Sequence, residues 1–162
     1  MHAPLEPASI RPAAVADVPV ILELIRALGA YEKAGPGDIT ADEATLRAAL
    51  FGPHPGAEVL LACEGEAVVG LAIFFHNFST WRGQRGLYLE DLFVRPEARG
   101  RGHGKQLFLT LAKIARERDC ARMDWSVLDW NAPAIAFYRG LGAEPLSEWT
   151  TYRLTQAALA RL

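Results

Sequence analysis

The segment Arg99-Gly100-Arg101-Gly102-His103-Gly104-Lys105 constrains this chain more than any other, because alternating glycines suit neither the interior of a helix nor that of a strand. It follows the apolar run 87–94, closed by Pro96. After it, Leu107, Phe108, Leu111, Ile114 and Ala115 form one stripe at helical spacing. The order is therefore strand, glycine loop, helix. At such a junction several backbone N–H groups converge on the helix start, a ready place for an anion. The glycines remove Cβ atoms that would hold a pyrophosphate away from those amides, and Arg99, Arg101 and Lys105 stand ready to add charge-assisted contacts. Two better-known phosphate loops are excluded by spacing. Gly100, Gly102 and Gly104 recur every second residue, unlike the dinucleotide fingerprint G-x-G-x-x-G. A Walker loop fails because Arg99 stands where its first glycine belongs and Gln106 where Ser or Thr would hold magnesium. Taken alone, the heptapeptide is equally compatible with a solvated basic turn.

The rest of the chain alternates strand and helix signals. Residues 9–12 read as a short strand, followed from about Ala14 to Gly29 by Val18, Ile21, Leu22, Ile25 and Leu28 at helical spacing. Thr40-Ala41-Asp42-Glu43 has the capping-box form and predicts a second helix over 41–51. Apolar runs at 58–63 and 67–76 flank Glu64-Gly65-Glu66 and predict an antiparallel hairpin. Beyond the loop helix, a strand is expected over 122–128, a helix over 131–141 with Pro133 in its first turn, and a last strand over 148–154. Elements in this order make a mixed α/β domain with helices packed on a central sheet.

Composition narrows the function classes. With 17 Lys+Arg against 19 Asp+Glu the net charge is −2, which gives no basic field for nucleic-acid phosphates. No apolar run reaches the ~18 residues that span a bilayer, and the N-terminal residues carry no secretory signal, so a cytoplasmic location with no membrane partner is expected. Cys63 and Cys120 have no His or Cys at ligand spacing, so no metal site is expected and both read as buried thiols. Two adjacent acids, Glu90 and Asp91, inside an otherwise apolar strand raise the functional question.

R-x-x-G-x-G/A after a strand and opening a helix is the coenzyme A pyrophosphate motif of the GNAT superfamily of N-acetyltransferases, which Arg99 to Gly104 resembles. Four further stretches strengthen the resemblance. They are Tyr88-Leu89-Glu90-Asp91-Leu92-Phe93-Val94, Arg95-Pro96-Glu97, Val127-Leu128-Asp129-Trp130-Asn131 and Ala136-Phe137-Tyr138. Together they resemble the diamine, or spermidine/spermine, acetyltransferase family over residues 10–154. Within it, Tyr31-Glu32-Lys33 and Ser79-Thr80-Trp81 are more similar to the thialysine acetyltransferase branch than to the polyamine branch, which carries an acid where Ser79 stands.

The resemblance implies a tail over 1–8 and a single GNAT-like domain over 9–162, α/β (α+β mixed), with a central, mostly antiparallel twisted sheet flanked by helices. It implies acetyl-CoA as co-substrate, a primary amine of a small molecule as acceptor, direct attack of the amine, and a homodimer. The coenzyme would be held by the backbone of Leu92, Phe93 and Val94, by Arg99, Gly100, Arg101, Gly102, His103, Gly104 and Lys105, and by Asn131 and Pro133. Tyr31, Glu32, Trp81, Glu90, Asp91 and Trp149 would face the amine, an acid and aromatics suiting a cation. Tyr138 would give its proton to the departing thiolate, and Glu90 would accept the amine's proton through a water if Asp91 points away, the opposite assignment being open. Trp149 to Leu154 would supply an edge strand to the dimer. Two alternatives stand beside this reading: an acyl-CoA-binding sensor without turnover, and an acetyltransferase of protein N-termini or lysines.

Overall fold

The computed structural model describes residues 9–162, so the tail expected over 1–8 lies outside the described residues. The chain divides into two compact units, one ending at Ser126 and the other spanning Val127–Leu162.

The first unit is built on five strands: β1 (Ser9–Pro12), β2 (Glu58–Glu64), β3 (Ala67–Ser79), β4 (Gln84–Val94) and β5 (Met123–Trp125). They lie in the order β1-β2-β3-β4-β5. The first three pairings are antiparallel and β4 pairs with β5 in parallel, which is the mostly antiparallel sheet expected. Three helices accompany it: α1 (Val18–Tyr31), α2 (Glu43–Phe51) and α3 (His103–Glu117). α1 sets Ile21, Leu24 and Leu28 at i, i+3 and i+7 against Val59, Leu61, Leu71, Ile73 and Phe93, alternate residues that share one sheet face. α3 contributes the fully buried Leu107 and Leu111 to the opposite face, and just beyond it Arg118 lies 5.8 Å from the Phe74 ring. Burying a leucine stabilises the fold by about 1.5–3 kcal/mol, so these two faces hold the unit together.

Local chemistry moved several boundaries. The helical run starts beside Ala14 as a short 3-10 turn, Val15–Asp17, whose Asp17 carboxylate accepts from the Ala14 N–H at 2.7 Å and from Arg11 at 2.7 Å, and it becomes α1 at Val18. α1 ends at Tyr31 instead of Gly29, which puts Tyr31 on a helix. The capping box forms two residues later than Thr40 and Glu43: Asp42 accepts from the Thr45 N–H at 2.8 Å, and the Thr45 hydroxyl accepts from the Asp42 N–H at 3.0 Å. Cys63 is buried as expected, whereas Cys120 is only half-buried.

The second unit contains α4 (Ala132–Gly140) and α5 (Gln156–Leu159). The strand expected over 148–154 does not form: these residues belong to no regular element, and Trp149 and Tyr152 are 71% and 92% exposed. A run becomes a strand only when a neighbouring strand takes up its N–H and C=O groups, and the backbone bond this segment makes in its unit is a turn, from the Trp149 N–H to the Leu146 carbonyl at 3.2 Å. Among the described residues no helix is long and apolar enough to cross a membrane.

Candidate active site

The glycine loop occupies the junction between β4 and α3. After Val94 a short 3-10 turn, Pro96–Ala98, leads to Arg99, and the chain then passes through Gly100 at φ +76° and Gly102 at φ +88°. Both angles lie in the left-handed region that strongly favours glycine. Gly102 is the N-cap of α3, and no side chain caps that end. The first helical hydrogen bond runs from the Gln106 N–H to the Gly102 carbonyl at 3.0 Å, so the amides of His103, Gly104 and Lys105 are those a helix start offers to an anion. At Gly104 a Cβ would meet only Val94 Cγ2 at 3.8 Å, an ordinary contact, which agrees with a motif position open to alanine. The cradle therefore fits a pyrophosphate.

The basic residues of the loop have partners that the sequence did not reveal. Arg101 pairs with Glu64 at 2.8 Å and donates to the Glu97 carbonyl at 3.0 Å. His103, buried, sets Nε2 2.6 Å from the same Glu64 carboxylate, while its Nδ1 is buried with no hydrogen-bond partner. Arg101 first, and His103 after it, hold the Glu64 carboxyl below its ordinary range. Glu64 comes from the end of β2, and an acid beside a turn glycine carries no sequence signal for such a role. Arg99 donates from Nε to the Val94 carbonyl at 3.0 Å, and its guanidinium lies 4.7 Å from the Tyr31 ring centre and 5.6 Å from that of Phe93. Lys105 is exposed.

The two acids of β4 sit at a bulge. Asp91 pairs with Ile73 and Leu89 with Phe74, leaving Glu90 as the extra residue. The bulge reverses the phase of the strand. Leu87 and Leu89 lie opposite His76 and Phe74 on the α3 face, whereas Asp91 and Phe93 lie opposite Ile73 and Leu71 on the α1 face. Glu90 is exposed and Asp91 half-buried. Burial, then the charges of Glu90 and Glu32, push the Asp91 carboxyl up to about 6. Glu32 reaches this cluster as the C-cap of α1. The first unit thus brings together Tyr31, Glu32, Glu90, Asp91, Phe93 and Arg99. Trp81 stands apart in the β3–β4 turn, 93% exposed.

In the second unit Asn131 caps α4, its Oδ1 accepting from the Ala134 N–H at 3.3 Å, and its side chain is buried. Pro133 lies in the first turn, where its missing N–H is no loss. Tyr138 is half-buried on the same helix and meets Phe137 edge to face at 5.3 Å. Trp149 belongs to the exposed segment described above.

A bulged strand delivering its end to a glycine-turned helix start, on a mostly antiparallel sheet, defines an acetyltransferase of the GNAT type. This chain belongs to that family: the family model described as Acetyltransferase (GNAT) family matches residues 23–143. It is 38% identical to a thialysine N-epsilon-acetyltransferase of Bos taurus, over 94% of this chain and 95% of the relative. An L-ornithine N5-acetyltransferase of Arabidopsis thaliana is 41% identical over 57% of this chain and 40% of its own length. Among solved structures, an integron cassette protein from the mobile metagenome of V. cholerae superposes with a TM-score of 0.79 at 30% identity, covering 95% of this chain and 96% of the other. The chain is accordingly an N-acetyltransferase, and members of its family take the acetyl group from acetyl-CoA.

Proposed function

We propose that this chain acetylates the side-chain primary amine of a small, lysine-like molecule such as thialysine, with diamines and polyamines as related acceptors. The observation that carries the reading is the convergence of Glu32, Glu90 and Asp91 beside the β4 end that leads into the coenzyme loop. Three acids in one place, one of them half-buried, suit a cationic amine and disfavour a neutral or anionic acceptor. The relatives named for thialysine and ornithine acetylation support the same substrate class.

The amine must lose a proton before it attacks. An alkyl ammonium of pKa ~10.4 stands about 3.4 units above pH 7, a cost of roughly 4.6 kcal/mol. A carboxylate near 6 is better matched to that transfer than one near 4, so we assign Asp91 as the acceptor of the proton and Glu90, exposed at the bulge, as an anchor for the ammonium. This reverses the order expected from strand alternation, because alternation cannot anticipate the bulge. The loop amides of His103, Gly104 and Lys105 would hold the pyrophosphate, the backbone of Leu92 to Val94 and the Asn131 side chain the pantetheine arm, and Tyr138 would protonate the leaving thiolate. Residues 9–162 form one acetyltransferase domain in this reading, working in the cytoplasm as a homodimer. The exposed Trp149, Tyr152 and Leu154 support a second copy, now as apolar surface instead of an edge strand. Light scattering showing only a single-chain species at micromolar concentration would remove the dimer.

The deciding test offers acetyl-CoA with thialysine, L-lysine, L-ornithine, spermidine and a short lysine peptide, and follows thiol release. Turnover of the amino acids and amines with none of the peptide is expected. Turnover of the peptide alone would overturn the small-molecule reading, and coenzyme binding without any turnover would point to a sensor.

A further inference from the structure

We propose that Arg99, the first residue of the coenzyme motif, is a positioning residue for the amine side of the site instead of a ligand of the phosphates. Its side chain bridges three pieces of chain. Nε–H donates to the Val94 carbonyl at the end of β4. The guanidinium lies over Tyr31, the last residue of α1, and within reach of the Phe93 ring. The backbone of Arg99 itself opens the loop that runs through Gly100 to the start of α3.

What Tyr31 carries behind it gives the bridge its function. Glu32 follows directly, its N–H donating to the Leu28 carbonyl at 2.9 Å, and Lys33 turns the chain out of the helix at φ +63°. Glu32 is one of the charges acting on Asp91, and Phe93 stands two residues beyond Asp91 on the same sheet face. Arg99 therefore pins the end of α1 to the end of β4, setting the separation of Glu32 from Asp91, two of the three acids that face the amine. A planar guanidinium can stack on rings and still donate from Nε, which an ammonium cannot do. The same grip leaves Arg99 turned to Tyr31 and Val94, while the amides at the start of α3 remain for the phosphates. Coenzyme seated on the loop then orders Arg99, and through it Tyr31 and Glu32. By reciprocity, a bound amine strengthens the hold on coenzyme by the same factor.

This inference rests on the acetyltransferase reading, and its test separates the two. Calorimetry with coenzyme A and hydrogen exchange across residues 28–34 are measured for the parent and for Arg99→Gln, Arg99→Lys and Tyr31→Leu, alongside steady-state kinetics with thialysine. Coenzyme A should slow exchange at 28–34 in the parent and lose that effect in all three variants. The KM for thialysine should rise about three- to ten-fold while coenzyme A affinity stays within about two-fold, and Arg99→Lys should fail to rescue because the stacked plane is gone. Arg99→Gln combined with Tyr31→Leu should be no worse than either alone. A ten-fold loss of coenzyme A affinity with unchanged KM for thialysine would make Arg99 a phosphate ligand and overturn the proposal. Binding by the parent without protection at 28–34 would overturn the coupling alone, whereas a parent that binds no coenzyme A would overturn the acetyltransferase reading with it.

Discussion

Replacing Asp91 by Asn should stabilise the protein while it damages catalysis, and the stabilisation should depend on pH in a calculable way. The carboxyl is raised from 3.8 to about 6, first by burial and then by Glu90 and Glu32. A group that holds its proton more tightly folded than unfolded is no burden below its unfolded pKa. It becomes one as pH rises through the interval and bears its full penalty above the folded value. About two units correspond to roughly 3 kcal/mol at pH 8, and about half of that remains at pH 5. Asparagine keeps the shape and discards the charge, so urea unfolding should show a gain of about 3 kcal/mol at pH 8 that shrinks by half at pH 5. In a chain of this size the pH 8 gain would lift the thermal midpoint by about 6–12 °C. Acetyl transfer should fall at least ten-fold in the same preparation, the trade of stability against activity usual for a site built from crowded charges. Equal gains at both pH values, or a loss at pH 8, would refute the claim that a crowded, desolvated carboxylate sits there.

Tyr138→Phe keeps the ring and removes the proton, so kcat should drop at least ten-fold with acetyl-CoA affinity nearly unchanged; an unchanged kcat would hand the thiolate's protonation to water. Gly102→Val forces a β-branched residue to φ +88° at the cap of α3, and calorimetry should show acetyl-CoA binding weakened at least ten-fold; parent affinity in the folded variant would disprove the cradle. Phe74→Ala empties a side chain that is 1% exposed, and should cost about 3–5 kcal/mol in denaturant unfolding; a loss under 1 kcal/mol would place it outside the core.

Much of the architecture was legible because it depends on neighbours in the chain. Helical spacing at Val18, Ile21, Leu22, Ile25 and Leu28, glycines between apolar runs, and the cap at Asn131 are local signals, and each produced its element within a few residues. The segment 148–154 failed for the complementary reason. Its strand-like composition is local, but the partner that would complete its hydrogen bonds is not, and in a single chain it remains without regular structure.

Residue chemistry alone determined the loop, since only glycine takes φ near +76° and +88° without strain and only a helix start leaves such amides available. It also drew attention to the adjacent acids Glu90 and Asp91 inside an apolar strand, whereas the roles proposed for Asn131 and Tyr138 rest on the family resemblance. Which face each acid takes was decided by the bulge opposite Phe74, a property of two strands that the alternation of one cannot show. The same holds for Glu64 under Arg101 and His103, and for Tyr31 under Arg99, contacts between residues 37 to 68 positions apart in the chain. Nothing in the local sequence encodes such pairs. They exist because packing α1 and α3 on opposite faces of one sheet brings the ends of β2, β4 and α1 to the same loop.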